Sequence, residues 1–385
     1  MHNQMTQLSP TDEILCTVSK PGERANAFGE STAKFAVIAH NGADPQKILE
    51  QDAYSAAQRF VQGQFSIRGD IYEAVHFFTN RPHSRLRDIW RTLAVRLERI
   101  NVLVHLGSRA AAADNIRFHY DRSNEFYRQF LDSRMQYSAA HFSRPDQPLD
   151  EAQVDKLEGI CQRLRLHPGD TLLDIGCGWG GLIVHAAQRY GVRARGCTLS
   201  QDQLKFATAT VRNQGLDDRV TVGIVDYRDL DGSFDKIASV GMFEHVGPRR
   251  LAGYFKKVKA LLKPGGLFLN RGLIRPEGVA DDAETLFVQK SVFPGGELVH
   301  LADLIREGEN AGLEPIEMHD TRKHYARTCR AWVARLQQNA KACRTLVGEP
   351  AYRTWLLYLA ASALNLEEGC LGSTEVLFQK KAATL

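Results

Sequence analysis

The sequence has no apolar run of about 18 residues, so nothing in it reads as a bilayer-spanning helix. Its first residues, MHNQMTQLSP, lack a basic stretch followed by an apolar one, so no signal peptide is expected. It lacks a CxxC pair. The cysteines Cys16, Cys161, Cys177, Cys197, Cys329, Cys343 and Cys370 stand singly and are odd in number, which argues against a disulfide frame or a zinc site. A reducing cytoplasmic setting is expected. Internal repeats and low-complexity segments are absent. So is a strong charge of either sign: 49 Lys and Arg against 45 Asp and Glu leave +4, which gives no case for a nucleic-acid partner. A weakly basic chain can still approach an anionic membrane surface, which keeps a peripheral location at the inner membrane face open. The cluster Lys256-Lys257-Val258-Lys259 reads as a solvated helix face.

What remains is an ordinary globular composition, 43% hydrophobic and 24% charged. A length of 385 residues suggests two domains. Residues 1–30 are polar, broken by Pro10, Pro21 and Gly22, and are expected to be loose. Short patterns then predict a strand from Phe35 to Ile38, a helix from Asp52 to Gln62, a strand from Phe65 to Arg68 and a turn at Gly69-Asp70. A helix is predicted over Ser84 to Leu106, and Gly107 with Ala110 to Ala113 reads as a linker or as a helix leading into the next unit. These define an N-terminal α+β domain at residues 1–110, suited to lipid binding or to forming a homodimer. Residues 111–385 form the second domain.

There, strands and helices alternate. Strands are predicted at Thr171–Ile175, Val192–Thr198, Val220–Val225, Phe234–Val240 and Gly265–Asn270, the last opened by a Lys263-Pro264-Gly265-Gly266 turn. Helices are predicted at Asp150–Arg163, Leu182–Arg189, Gln201–Gln214 and Arg249–Leu262. Such alternation predicts an α/β, Rossmann-like, doubly wound and mostly parallel sheet. Its ligand would sit beyond the carboxyl ends of the strands.

At one such end stands Asp174-Ile175-Gly176-Cys177-Gly178-Trp179-Gly180-Gly181. Glycines allow a tight turn and a close approach of ligand to bare amides. The string also satisfies GxGxxG, so a dinucleotide is one reading and a merely structural turn another. A dinucleotide fold wants an acid about 20 residues on, and that region reads Gly196-Cys197-Thr198-Leu199-Ser200. Asp174 before the glycines suits a ligand bearing an ammonium and a sulfonium. S-adenosylmethionine is therefore the preferred ligand, held by Asp174, Gly176, Gly178 and Gly180. Asp226, at the end of the third strand, is placed either to accept from an adenine amino group or to cap a turn. Phe243-Glu244-His245 offers a ring, a carboxylate and an imidazole at the end of the fourth strand, where His245 reads either as a structural or as a site residue. Tyr120, Tyr127, Tyr137 and Phe142 are candidates for the site or for plain core. Cys177 and Cys197 read as small packing residues, with no base beside them to activate a thiolate.

Read in order, FHYDRSNEFYRQFLD, MQYSAAHF, LLDIGCGWGGL, GCTLSQDQ, VGMFEHVG, LLKPGGLFL, VFPGG and HYARTCRAW resemble the cyclopropane-fatty-acid synthase family, which includes the mycolic acid cyclopropane synthases. QGQFSIRGD is similar to the N-terminal unit of the phospholipid-acting members. The resemblance implies a class I S-adenosylmethionine methyltransferase domain. It implies cofactor contacts from Tyr137, Ser138, Thr198, Leu199, Ser200 and Gln203 besides the glycine turn. It implies methyl transfer to an alkene, a carbocation, and proton loss that closes a three-membered ring with the help of bicarbonate. Glu244 and Tyr325 would hold that ion. The family's cysteine position is Ala139 here. Its histidine position falls on Asn270, with Arg271 beside it, and a usual glycine is Ser123. These departures leave methyl transfer expected and ring closure open, so a methyl-branched or methylene product and a non-lipid alkene stand as alternatives. An NAD oxidoreductase and a non-catalytic lipid-binding scaffold are readings of other classes.

Overall fold

The computed structural model describes residues 16–19, 34–80, 123–279, 283–293 and 296–382. Two sheets organise them. In the smaller, β1 (Cys16–Ser19) runs parallel to β2 (Phe35–Ala39), and β2 pairs antiparallel with β3 (Phe65–Gly69). The loose structure expected of residues 1–30 therefore fails at Cys16–Ser19, where β2 supplies a pairing partner that local composition cannot reveal. Helices α1 (Pro45–Leu49) and α2 (Ala53–Val61) join β2 to β3, and α3 (Ile71–Thr79) follows. Each starts at an aspartate that accepts from a first-turn amide: Asp44 from Gln46 at 3.0 Å, Asp52 from Ser55 at 3.0 Å and Asp70 from Tyr72 at 2.8 Å. The Gly69-Asp70 turn is thus a helix cap. The pattern of α3, IYEAVHFFT, buries Ile71, Ala74, Val75 and Phe78 at helical spacing, although no helix is predicted there. The helix predicted at Ser84–Leu106, the Ala110–Ala113 linker, the 110/111 domain boundary and Tyr120 lie outside the described residues.

The larger sheet belongs to the second domain. Along the chain come α4 (Asn124–Arg128), α5 (Leu149–Arg163), β4 (Thr171–Ile175), α6 (Gly181–Tyr190), β5 (Arg193–Thr198), α7 (Gln201–Asn213) and β6 (Val220–Ile224). Then follow β7 (Phe234–Val240), α8 (Leu251–Leu261), β8 (Leu262–Ile274), α9 (Ala283–Ser291), α10 (Leu301–Asn310) and β9 (Leu313–Asp320). The chain closes with α11 (Arg322–Gln338), α12 (Ala340–Glu368) and β10 (Gly372–Lys380). The strand order is β6-β5-β4-β7-β8-β10-β9, with β10 antiparallel to both its neighbours. This is the doubly wound, mostly parallel sheet that the alternation of strands and helices predicts. The chain winds outward from β4 and then returns to β7, which opens a crevice between β4 and β7 at their carboxyl ends. Alternate residues of β4 serve opposite faces: Leu172 packs in one core layer and Leu173 in the other.

The predicted Lys263–Gly266 turn lies inside β8. Leu262 pairs with Phe234, and Leu267 next pairs with Lys236, so the four residues form a bulge in a continuing strand. Gly266 is required there, because a Cβ would stand 2.8 Å from the Asp235 carbonyl oxygen. β8 also runs on to Ile274, which puts Asn270 in mid-strand.

An aromatic layer joins the two units. Tyr127, Phe130 and Trp355 pack as tilted or edge-on pairs, and Tyr137 stacks on Trp332 with centroids 5.1 Å apart. The same core continues into Phe60, Phe65 and Phe78 of the small unit. α12 is kinked where Gly348 takes φ 80 just before Pro350.

Ser123, which stands where the family resemblance expects glycine, adopts φ 76 and ψ 134 as it caps α4. An L-residue is strained there by ~1–2 kcal/mol. Glycine would forgo only a few tenths of a kcal/mol of capping. Ser123→Gly should therefore raise the unfolding temperature by about 2 °C. A melting curve showing an unchanged or lower midpoint would mean the serine is not strained.

Candidate active site

Two cavities lie at the carboxyl end of the large sheet. The first, of about 150 Å³, is built around the glycine turn. The amides of Gly176 and Cys177 both donate to the Cys197 carbonyl oxygen, at 3.1 and 2.9 Å, which fixes the turn to β5. Gly176 and Gly178 line the cavity with φ of 80 and 55, and nothing lies within 4 Å of the space a Cβ on Gly178 would fill. Bare backbone thus faces an open volume, the cradle a close-lying ligand needs. Gly180 does not line it. Gly180 begins α6 at φ 84, and its alpha carbon backs onto Ala207.

Asp174, Tyr137, Ser138, Thr198, Leu199, Gln203 and Asp226 also line this cavity. Thr198 donates to Gln203 Oε1 at 2.6 Å and accepts from the Ser200 amide at 3.2 Å. Ser200 is wholly buried as the cap of α7, accepting from the Gln203 amide at 3.3 Å, so it shapes the loop from behind. Asp226 caps a turn, the second of the two roles foreseen for it, and also faces the cavity. The turn is Tyr227–Asp229, where it accepts from the Arg228 amide at 2.9 Å. The Arg228 guanidinium also pairs with it, through Nε at 2.8 Å.

Lys156 is among the cavity residues that the sequence pattern left unnoticed. It is 1% exposed and donates to Gln136 Oε1 at 2.5 Å and to Ser138 Oγ at 3.1 Å. Burial pushes its ammonium down and pushes the carboxyl of nearby Asp174 up, while their mutual attraction opposes both shifts. The signal was present: Leu149, Ala152, Gln153, Lys156, Leu157 and Ile160 recur at helical spacing, which puts the lysine on the buried face of α5.

The second cavity, of about 240 Å³, is apolar over most of its wall. Tyr137, Gly241 and His245 line both cavities, so the two meet there. Glu244 and Tyr325 face the apolar side. Glu244 lies in the single turn Phe243–His245 beyond β7 and accepts from the Leu273 amide through Oε1 at 2.8 Å. Its Oε2 has no hydrogen-bond partner among the described residues. Burial pushes this carboxyl up to about 7, partly opposed by the Leu273 amide. Burial likewise pushes His245 down to about 4, so its imidazole is neutral at pH 7.

Besides Gly180 and Ser200, two residues expected at the reacting centre lie off both cavities. Asn270 is fully buried on the other face of β8, where it accepts from the Tyr254 hydroxyl at 2.9 Å. Ala139 is buried, and its carbonyl oxygen accepts from Arg271 at 2.8 Å. Arg271 also pairs with Glu375 at 3.3 Å, an interior ion pair at 2% and 1% exposure. Of the aromatic candidates, Tyr127 is core and Phe142 packs beneath Arg327, with 3.9 Å from the guanidinium carbon to the ring centroid. Among the described candidates, Tyr137 alone reaches the cavities. Cys177 and Cys197 are buried thiols pushed up by desolvation, in keeping with packing roles.

A family model described as mycolic acid cyclopropane synthetase matches residues 108–375. A probable fatty acid methyltransferase of Pseudomonas putida is 40% identical over 332 residues, 84% of this chain and 82% of its own. The cyclopropane-fatty-acyl-phospholipid synthase of Escherichia coli K12 is 38% identical over 362 residues, 90% of this chain and 91% of its own. Among solved structures, a mycolic acid cyclopropane synthase complexed with SAH and CTAB aligns with a TM-score of 0.67 at 31% identity, over 70% of this chain and 98% of its own. SAH is what S-adenosylmethionine becomes on giving up its methyl, so these likenesses favour the methyl donor over a dinucleotide at the glycine turn. The chain belongs to the mycolic acid cyclopropane synthetase family and is an S-adenosylmethionine-dependent methyltransferase.

Proposed function

We propose that this enzyme transfers the S-adenosylmethionine methyl group to the double bond of an unsaturated acyl chain carried by a phospholipid. One observation carries the reading: a cavity with a polar glycine cradle opens, past Tyr137, Gly241 and His245, onto an apolar cavity whose wall carries the buried carboxyl of Glu244. A sulfonium lies on one side and an alkene on the other. When bound, the cofactor supplies an electrophilic methyl. An alkene is a weak nucleophile, so the protein must hold it in line and keep water out, and apolar walls do both. Transfer leaves positive charge on the acyl carbon. The ring of Tyr137 and the carboxyl of Glu244 can stabilise that charge.

Deprotonation then needs an acceptor. Glu244 fits, since its Oε2 is unpaired at the cavity and its carboxyl titrates near pH 7. The donor set also fits a bicarbonate ion. A protonated Glu244 can donate to it and the Tyr325 hydroxyl can complete the cradle, in which case the ion would supply the proton acceptor. A second reading, methyl transfer without ring closure, draws on Asn270 and Arg271. The first faces Tyr254 and the second is locked to Glu375 and the Ala139 carbonyl, so neither offers a proton-accepting group at the cavity.

The test is incubation with methyl-labelled cofactor and vesicles of unsaturated phosphatidylglycerol and phosphatidylethanolamine, followed by acyl-chain mass spectrometry and proton NMR. Label in the acyl chains is expected. Upfield cyclopropane protons would indicate ring closure and their absence a methyl branch. Absence of label from every lipid would sink the reading.

A further inference from the structure

We propose that the small N-terminal unit is the selectivity wall of the acyl cavity, so that residues of α2, β3 and α3 set which acyl chains are methylated. The inference rests on the acyl-lipid reading above and adds to it the residues that choose the substrate. The cavity that holds Glu244 and Tyr325 is closed on its far side by Ala53, Ala57 and Phe60 of α2, Ile67 of β3 and Phe78 of α3. The α2 residues are spaced by four and three, so they form one face of that helix. The small residues leave room where a larger side chain would occupy the cavity. None of these residues falls within residues 108–375, the span matched by the family model. The wall is therefore an addition to the shared catalytic body.

The wall is seated firmly. Arg353 of α12 donates to the Phe60 and Phe65 carbonyl oxygens at 2.9 and 2.6 Å and to Ser66 Oγ at 3.2 Å. Its guanidinium carbon lies 5.0 Å from the Phe60 ring centroid, and Glu349 holds Nε at 2.6 Å. Three bonds from one half-buried cation to the end of α2 and the start of β3 fix the wall relative to Glu244. A rigid apolar wall discriminates among ligands that differ by methylenes, by about tenfold or more for each group that must clash or leave a void.

The experiment presents wild type, Ala57→Phe and Phe78→Leu with vesicles containing equal amounts of hexadecenoyl and octadecenoyl phospholipids, the latter with the double bond at two positions. Labelled products are counted by mass spectrometry, and S-adenosylhomocysteine affinity and unfolding temperature are measured alongside. Ala57→Phe fills the cavity and should shift the product ratio about tenfold toward the shorter chain. Phe78→Leu, which widens it, should shift the ratio the other way. If Ala57→Phe does not fold, the shift with Phe78→Leu decides alone. A wild type that labels lipid, together with folded variants whose product ratios match it, overturns the wall. A wild type that labels no lipid overturns the acyl-lipid reading and the wall with it.

Discussion

Glu244→Gln should lower turnover by about a thousandfold while leaving S-adenosylhomocysteine affinity within a few-fold of wild type. The affinity is spared because Glu244 faces the apolar cavity and takes no part in the glycine cradle. Glutamine keeps the carbonyl oxygen that accepts from the Leu273 amide, so local geometry survives. What is lost is a group able to accept a proton or carry negative charge. The wild-type rate should rise with pH through about 7, where the buried carboxyl ionises. Stability should run the opposite way. The folded carboxyl holds its proton up to about 7 while the unfolded one releases it near 4.5, so the folded state binds more protons between those values. This group's contribution to stability is complete below 4.5 and is lost as pH rises through 7, a change of ~3 kcal/mol. Glu244→Gln should remove that dependence and be the more stable form at pH 8. Rate profiles and urea titrations at pH 5 and 8 check both halves. A variant with wild-type turnover across the range would remove Glu244 from the reacting centre.

The body of the fold was legible because its signals are local. β4, β6 and β7 are closed by glycine or acid at their carboxyl ends, β5 is followed by the Ser200 cap, and each helix between them carries a cap or a period. β9, α11, α12 and β10 were not predicted. β10 is GSTEVLFQK, whose first seven residues are all buried, so the alternation that marks a half-exposed strand is missing. Its partners lie far off in sequence, and antiparallel insertion between β8 and β9 is decided by tertiary packing. The site divides the same way. Glu244 and the glycine turn sit at strand ends and announce themselves. Asn270 and Arg271 are adjacent on β8 and point to opposite faces, so a one-residue difference in register decides which can approach Ala139. Trp332 and Trp355, which pack around Tyr137, come from helices more than a hundred residues away.

Lys156→Ala should destabilise the protein by about 3–5 kcal/mol at pH 8 and weaken S-adenosylhomocysteine binding at least tenfold. A lysine in α5 would ordinarily be a surface charge, and its loss would be nearly silent. Here the ammonium is enclosed, and its hydrogen bonds hold Gln136 and Ser138 on either side of Tyr137. Gln136 is also wedged against the glycine turn, where a Cβ on Gly181 would stand 2.1 Å from its Nε2. The Asp132 carboxylate receives the Gln136 amide at 2.7 Å, so the segment is pinned at several points around one cation. Removing that cation leaves Asp174 buried without its compensating charge, and the carboxyl should then take up a proton even more readily than it does now. The loss should therefore be larger at pH 8 than at pH 5, since protonated Asp174 needs no counter-charge. Adding Asp174→Asn to Lys156→Met should recover part of the stability but not the affinity, because a neutral pair packs without a charge to solvate yet no longer presents a carboxylate to a cationic ligand. Urea unfolding at both pH values, with calorimetric titration of each variant, resolves the two effects. A loss under about 1 kcal/mol for Lys156→Ala, equal at both pH values, would show that the lysine reaches solvent and that the cofactor cavity is organised by the glycine turn alone.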